Sequence, residues 1–178
     1  MIEVIKNILP KEINKKIILF LLKSRNWGIA KDKGGEVELL NELIGTSGKD
    51  YGFSLQTLDV KDGIYIEGPL NLYAEIIYEI IKKHTKYKFL KPMRFYWNYY
   101  NNFSQTLPHK DRDENFYLSF VYNLHDNDGG TKINDEFFKS NSGEAILFPS
   151  NCMHVGISSS NTKGRFNLNC IVELERSI

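Results

Sequence analysis

The sequence predicts a mainly β fold propped by N-terminal helices, and three observations carry that reading. After Pro92, short aromatic or β-branched runs are divided by Asn, Asp, Gly and Ser clusters, which is the spacing of a β-sandwich or barrel. Before that point, two stretches hold an apolar period of a helix. The composition (178 residues, 42% hydrophobic, 25% charged, formal net charge +1) is that of one globular domain. A chain this long buries enough surface to need neither metal nor disulfide for its core, and it is too apolar for disorder. The expected organisation is a single domain over 1–178. Residues 1–91 form a helical and lid-forming support, and 92–178 form the β-rich core.

Taken in order, Lys11 to Lys23 reads as a helix, with Ile13, Ile17, Phe20 and Leu21 on one face and Pro10 suiting its first turn. A region punctuated by Gly34-Gly35, Gly45, Gly48 and Gly52 follows; Glu36 to Leu43 suits a short helix inside it. The stretch Lys33 to Gly52 is equally an ordinary surface loop or a mobile lid. A second helix is expected from Pro69 to Lys83, with Tyr73, Ile76, Ile77, Ile80 and Ile81 as its stripe. The β runs are Arg94 to Tyr100, Phe116 to Leu124, Thr131 to Phe138, Glu144 to Phe148, Val155 to Ser158 and Arg165 to Leu174.

Several function classes lose support at this level. No apolar run approaches the length of a membrane span, and Glu3, Lys6 and Lys11 interrupt any secretory leader. Near-zero net charge gives no whole-chain reason to bind nucleic acid or anionic lipid. Lys82, Lys83, His84, Lys86, Lys88 and Lys91 read as a solvated helix end before they read as an electrostatic footprint. Phe95 to Tyr100 reads as a strand with one face in the core and one toward a pocket. Asp126 to Gly130 reads as a turn, since the rest of a calcium loop is missing. Cys152 and Cys170 are too few for a disulfide scaffold and are expected as buried free thiols in a reducing cytoplasm. His84 and His125 lack ligand spacing and are expected at the surface. With 18 Lys and 5 Arg, each arginine is informative.

The chemistry gathers around His109. In an extended segment residues i and i+2 share a face, so His109 and Asp111 can offer a nitrogen and a carboxylate oxygen to one metal ion. Such a triplet arises easily by chance and is equally two solvated turn residues. A second histidine, His154, begins a later β run after Gly143-Glu144-Ala145-Ile146-Leu147-Phe148-Pro149. Two His and one carboxylate make the facial triad of non-haem Fe(II) oxygenases, which leaves coordination positions open. Arg165 then opens the last long strand. There Arg165, Asn167 and Asn169 share one face, and Phe166, Leu168, Cys170 and Val172 the other. The polar face suits solvent, or a guanidinium clamp for a carboxylate.

His109-Lys110-Asp111, Phe120-Val121-Tyr122-Asn123-Leu124, Gly129-Gly130-Thr131, Gly143 to Phe148, His154 and Arg165, in this order, resemble the prolyl 4-hydroxylase-like 2-oxoglutarate/Fe(II) oxygenases, particularly small bacterial and phage members. The resemblance covers about Phe95 to Glu173, and Val4 to Pro10 before the first helix is also similar to the start of such domains. It implies a double-stranded β-helix (jelly roll) as the catalytic core. It further implies Fe(II) held by His109, Asp111 and His154, with 2-oxoglutarate chelating the iron and its far carboxylate paired with Arg165. Tyr122 lies where many relatives place a second donor to that carboxylate, and Tyr100 matches a tyrosine lining the same pocket. Asn167 departs from a serine or threonine found two residues after the arginine in some relatives. Tyr122-Asn123-Leu124 departs from the usual Tyr-Leu-Asn order. The implied reaction is hydroxylation of a substrate C–H coupled to oxidative decarboxylation to succinate and carbon dioxide, with ascorbate as a further cofactor of the class. A peptide is the first substrate guess, ahead of a nucleobase or a small metabolite. Two other readings are a non-catalytic jelly-roll binding module and a cupin-like metalloenzyme that does not use 2-oxoglutarate. The implied setting is the cytoplasm of a bacterium or of a phage-infected cell.

Overall fold

The computed structural model describes residues 2–25, 27–29, 52–101 and 106–176. The expected lid from Lys33 and the short helix at Glu36 to Leu43 lie outside the described residues; Gly52 opens a strand. Helix α1 (Lys11–Lys23) and helix α2 (Pro69–His84) form where the apolar period and a starting proline predict them. They bury Ile17 and Leu21 from α1, and Ala74, Ile77 and Ile81 from α2. Lys82, Lys83 and His84 close α2, where the helix dipole favours cations. The His84 ring bonds the Ile80 carbonyl at 2.8 Å, which further marks this basic run as a helix end. Among the described residues, no helix is long and apolar enough to cross a membrane.

The described residues contain eleven strands, in chain order β1 (Glu3–Ile5), β2 (Gly28–Ile29), β3 (Gly52–Asp59), β4 (Ile64–Tyr65), β5 (Phe89–Asn101), β6 (Tyr117–Asn123), β7 (Gly130–Ile133), β8 (Glu136–Lys139), β9 (Ala145–Pro149), β10 (His154–Ile157) and β11 (Gly164–Leu174). An eight-stranded sheet runs β1-β9-β6-β11-β5-β3-β2, with β4 paired to β3, and a three-stranded sheet runs β10-β7-β8. Every pairing is antiparallel. Two antiparallel sheets backed by helices are the jelly-roll arrangement the sequence predicts.

The large sheet separates two interiors by strand alternation. Phe95 and Trp97 of β5, Phe120 of β6 and Leu168, Cys170 and Val172 of β11 join the helices in the main apolar core. Val121, Ile133, Ile146 and Phe148 form a smaller cluster between the sheets.

Three expectations need correction. The run Thr131 to Phe138 is a hairpin, β7 and β8, turned at Asn134-Asp135; Asn134 takes φ 51°, which asparagine tolerates through its short polar side chain. Residues before 92 are more than helical support, because β1 pairs with β9 and β3 pairs with β5 inside the large sheet. The alternation Phe53-Ser54-Leu55-Gln56 carried the β3 signal, but its polar side faces a cavity and its glycine-rich approach resembles a loop. Strand β5 also begins before Pro92, and a bulge in its register with β11 accommodates the residue that has no N–H to donate.

Candidate metal and carboxylate site

His109 and His154 are brought together by a bridge between the segment before β6 and the start of β10. The His109 N–H donates to the His154 carbonyl at 3.1 Å, and the His154 N–H donates to the His109 carbonyl at 2.9 Å. The two rings therefore leave the backbone on one face, with centroids 4.3 Å apart. Each ring is oriented the same way. His109 Nδ1 bonds the Leu107 carbonyl at 2.8 Å, and His154 Nδ1 bonds the Cys152 carbonyl at 3.1 Å. A carbonyl only accepts, so each Nδ1 carries the proton and each Nε2 keeps its lone pair for a metal. These partners, both two residues upstream, are not visible as a motif in the sequence. Burial lowers the His154 pKa, partly offset by the Asp111 carboxylate, so the ring is neutral at pH 7.

Asp111 stands against the same pair. Its backbone N–H donates to the Ser150 carbonyl at 3.0 Å. Its Oδ2 accepts from Ser119 Oγ at 2.6 Å and lies 3.7 Å from His154 Nε2. Its Oδ1 accepts from Arg94 Nη2 at 2.5 Å. Burial alone would raise this carboxyl pKa, but Arg94, His154, Ser119 and His109 outweigh it and hold the group well below the ordinary carboxylate range. Among the described residues, His109, Asp111 and His154 are the one group of three such side chains whose ligand atoms lie within 4.8 Å of one another. Two imidazole nitrogens and one ionised carboxylate oxygen suit a divalent iron and leave positions open on it.

A cavity of about 490 Å³, a common size for a small-molecule site, joins this group to Arg165. Arg165 is 0% exposed and crosses from β11 toward the small sheet. Its Nη1 donates to the carbonyls of Gly130 and, at 3.3 Å, Ile157; its Nη2 donates to Asn123 Oδ1 at 3.1 Å and Thr131 Oγ1 at 3.0 Å. Every one of these acceptors is neutral. Arg165 has no ion pair among the described residues, and its Nε has no partner. Burial pushes its pKa down to about 10, so it stays a cation at neutral pH. Its charge is thus uncompensated among the described residues, and Nε–H is left without an acceptor.

The other expected residues divide between the two faces of the sheet. Tyr100 lines the cavity, its ring under the Arg165 guanidinium at 5.6 Å. It packs so closely on β10 that a Cβ at Gly156 would stand 2.8 Å from the Tyr100 hydroxyl, so only glycine fits there. Asn167 also lines the cavity and accepts from Asn98 Nδ2 at 3.2 Å. Tyr122 does not reach it. It belongs to the helix-side core and donates its hydroxyl to Asn14 Oδ1 at 2.6 Å. Strand alternation is the reason: Val121 and Asn123 take the inner face of β6, so Tyr122 must take the outer. Asn123 is the residue the sequence reading missed, and the swapped order Tyr122-Asn123-Leu124 was its signal. Arg94, Ser119 and Ser150 were missed as well; they act on Asp111 from β5, from β6 and from the turn after β9, and spacing does not reveal that.

His125 is half-buried, and its Nε2 accepts the Phe166 N–H at 3.2 Å, so it is structural rather than free at the surface. Cys170 is a buried free thiol as expected, while Cys152 is only partly buried. The turn at Asp126 to Gly130 is built as a turn: Asn127 Oδ1 accepts the Gly129 N–H at 2.9 Å.

No protein-family model matches the chain, and no curated protein matches its sequence. Solved structures do resemble it. A prolyl hydroxylase from Trichoplax adhaerens, in complex with a hypoxia inducible factor peptide fragment, has a TM-score of 0.64 at 12% identity, covering 97% of this chain and 83% of its own. A Pseudomonas putida prolyl-4-hydroxylase has a TM-score of 0.60 at 12% identity, covering 98% and 93%. HygX from Streptomyces hygroscopicus, with nickel and 2-oxoglutarate bound, has a TM-score of 0.62 at 9% identity, covering 97% and 82%. Fold and metal-ligand geometry together define a jelly roll with a His-Asp-His group that could bind a metal. The fold is that of the prolyl 4-hydroxylases and related 2-oxoglutarate/Fe(II) oxygenases.

Proposed function

We propose that this protein is an Fe(II)- and 2-oxoglutarate-dependent oxygenase that hydroxylates a C–H bond of its substrate. The observation that carries the proposal is Arg165: a fully buried cation without an anionic partner among the described residues, in the same cavity as His109, Asp111 and His154. A binding module has no evident use for such an arrangement, and a metalloenzyme that did not bind a dianion would have no need of the cation. His109, Asp111 and His154 would hold the metal. Arg165 would pair with the far carboxylate of 2-oxoglutarate. Asn123 would assist it, because its Nδ2 is buried without a partner while its Oδ1 is fixed on Arg165. Bound iron and 2-oxoglutarate together supply dioxygen activation, with decarboxylation of the co-substrate to succinate coupled to oxygen insertion.

This chain's own residues would do the rest. The two Nδ1–carbonyl bonds keep both imidazoles oriented, with Nε2 of each ring turned to the metal position. The Tyr100 ring and the closely packed β10 strand keep water from the carboxylate pocket. Ser54, Gln56 and Asn98 give the cavity a hydrogen-bonding wall on the β3–β5 side. That wall suits a polar small molecule as readily as the peptide suggested by the resemblance to prolyl hydroxylases. The unpaired Cys152 and Cys170 agree with a reducing, cytoplasmic setting.

Anaerobic titration of the purified protein with Fe(II) and 2-oxoglutarate tests the proposal. A visible charge-transfer band that is lost in Arg165→Ala is expected. No band and no retained iron would overturn the oxygenase reading. Iron retention indifferent to 2-oxoglutarate and to Arg165→Ala would instead favour a cupin-like metalloenzyme. Mass spectrometry of candidate peptides and small molecules for an added oxygen then addresses the substrate.

A further inference from the structure

Arg94 is a second arginine at the cavity, its side chain only 13% exposed, and the oxygenase reading gives it no role. It lies on β5, and its register partner on β11 is Ile171. The two hydrogens of one nitrogen, Nη2, are both spent: one goes to Asp111 Oδ1 at 2.5 Å, the other to Asn169 Oδ1 at 2.7 Å. The guanidinium lies over the Tyr96 ring at 4.5 Å. Tyr96 in turn donates its hydroxyl to Asp59, whose Oδ1 accepts the N–H groups of Lys61 at 3.0 Å and Asp62 at 3.3 Å in the turn after β3. Arg94 is therefore fixed by two acceptors and one ring, and it cannot swing away from Asp111 without breaking all three contacts.

The consequence lies in how Asp111 can use its two oxygens. A free carboxylate binds a divalent ion through one oxygen or both. Here Oδ1 is held by a charge-assisted bond, while Oδ2 lies toward His154 Nε2. Ser119 Oγ takes one lone pair of Oδ2, and Ser119 is itself bonded to Ser150 Oγ at 2.8 Å. Each oxygen keeps a second lone pair, but on Oδ1 it lies beside the Arg94 cation, which repels a metal cation, whereas the donor to Oδ2 is a neutral hydroxyl.

We propose that Arg94 is a positioning residue that restricts Asp111 to one-oxygen ligation of the metal and so keeps a coordination position open. The inference rests on the oxygenase reading, because it assigns Asp111 to the metal. Its use is specific. Two-point binding of 2-oxoglutarate and binding of dioxygen need three open positions, and a two-oxygen carboxylate would occupy one of them. Without Arg94, Oδ1 is free to bind the ion as well.

Counting metal-bound water tests this. The protein is loaded with Mn(II), and line broadening by ¹⁷O-enriched water in electron paramagnetic resonance gives the number of waters on the ion. The wild type is expected to hold about three, and Arg94→Gln about two, with 2-oxoglutarate affinity falling roughly tenfold. Arg94→Lys keeps the charge but not the two-acceptor nitrogen, and it is expected to lie between them. If Arg94→Gln does not fold, Asn169→Ala, which removes only the second acceptor, is read the same way: a count below that of wild type supports the inference. A count of three in every folded variant, or of two in the wild type, would overturn it. A wild type that binds no Mn(II) and shows no charge-transfer band with Fe(II) and 2-oxoglutarate would sink the oxygenase reading itself, which is a different result.

Discussion

Strand β11 faces two interiors. On one face Phe166, Leu168, Cys170 and Val172 pack against the helices; on the other Arg165, Asn167 and Asn169 line the cavity. Both faces are buried: Leu168 and Arg165 are each 0% exposed. The same backbone therefore carries an apolar core and a polar wall less than one strand thickness apart. The apolar face gains from leaving water, about 25 cal/mol per Å². The polar face gains nothing from burial and persists because nearly every group on it has a partner. Among the described residues the exceptions are Nε of Arg165, Arg94 and Arg112, all three lining the cavity, and Asn123 Nδ2 beside Arg165. Stability is concentrated on one face and binding capacity on the other, so substitutions should separate the two.

Arg165→Met is the sharpest break. Loss of the guanidinium is expected to lower 2-oxoglutarate affinity at least ~100-fold, since a buried charge-assisted carboxylate pair is worth several kcal/mol. Apoprotein stability should change by less than ~2 kcal/mol, because relief of a buried cation offsets the loss of its four neutral acceptors. Isothermal titration and denaturant unfolding measure the two effects. Unfolding of the apoprotein by more than that would show that Arg165 is chiefly a structural strut between the sheets.

Asp111→Asn tests the one ion pair on the polar face. It leaves the largely buried Arg94 cation against neutral acceptors only, the substituted amide oxygen and Asn169, and is expected to cost about 3 kcal/mol, in addition to abolishing metal binding. The pH dependence follows in sign. The native Asp111 pKa is depressed, so the unfolded chain binds more protons. The stabilisation is fully present above the unfolded carboxyl pKa of ~3.9 and is lost as pH falls toward the native value. Acid unfolding of wild type and Asp111→Asn should therefore converge at low pH. Parallel curves would show that the pair contributes little.

Leu168→Ala tests the other face. Its side chain points at the helices, and its loss is expected to cost 2–5 kcal/mol by leaving a cavity. Affinity for 2-oxoglutarate should be unchanged, although Asn167 and Asn169 flank it in sequence. A matching fall in affinity would mean that the two interiors are mechanically coupled across the sheet.

The apolar face was the more legible in the sequence. The periods of α1 and α2 and the alternation of β11 describe burial that depends only on nearest neighbours along the chain. His109, Asp111, His154 and Arg165 were also legible, because their order along the chain is fixed by the fold. What could not be read was the set of contacts made across the sheet. Arg94 reaches Asn169 because β5 pairs with β11, and Ser119 reaches Asp111 because β6 pairs with β9, after which Ser150 holds the Asp111 N–H. These contacts depend on register, which no local pattern specifies. Tyr122 failed for the converse reason: a match of residue type one position out of phase turns a side chain to the opposite interior.

That phase error gives the finest test of the comparison. Tyr122 and Asn123 are adjacent, both 0% exposed, and face opposite ways. Tyr122→Phe removes the hydroxyl from Asn14 Oδ1 and leaves a buried amide oxygen short of one donor, which is expected to cost about 1–2 kcal/mol of stability. It should leave 2-oxoglutarate affinity unchanged. Asn123→Ala removes an acceptor from Arg165 Nη2 and the unpartnered Nδ2 beside it, and it should lower that affinity about tenfold, the worth of one hydrogen bond to a charged group. Denaturant unfolding and ligand titration on the two variants give four numbers. The alternation requires the large changes to fall on opposite measurements. If Tyr122→Phe instead lowers ligand affinity while Asn123→Ala does not, then strand β6 is shifted by one residue, and the tyrosine has the role that its resemblance to relatives implies.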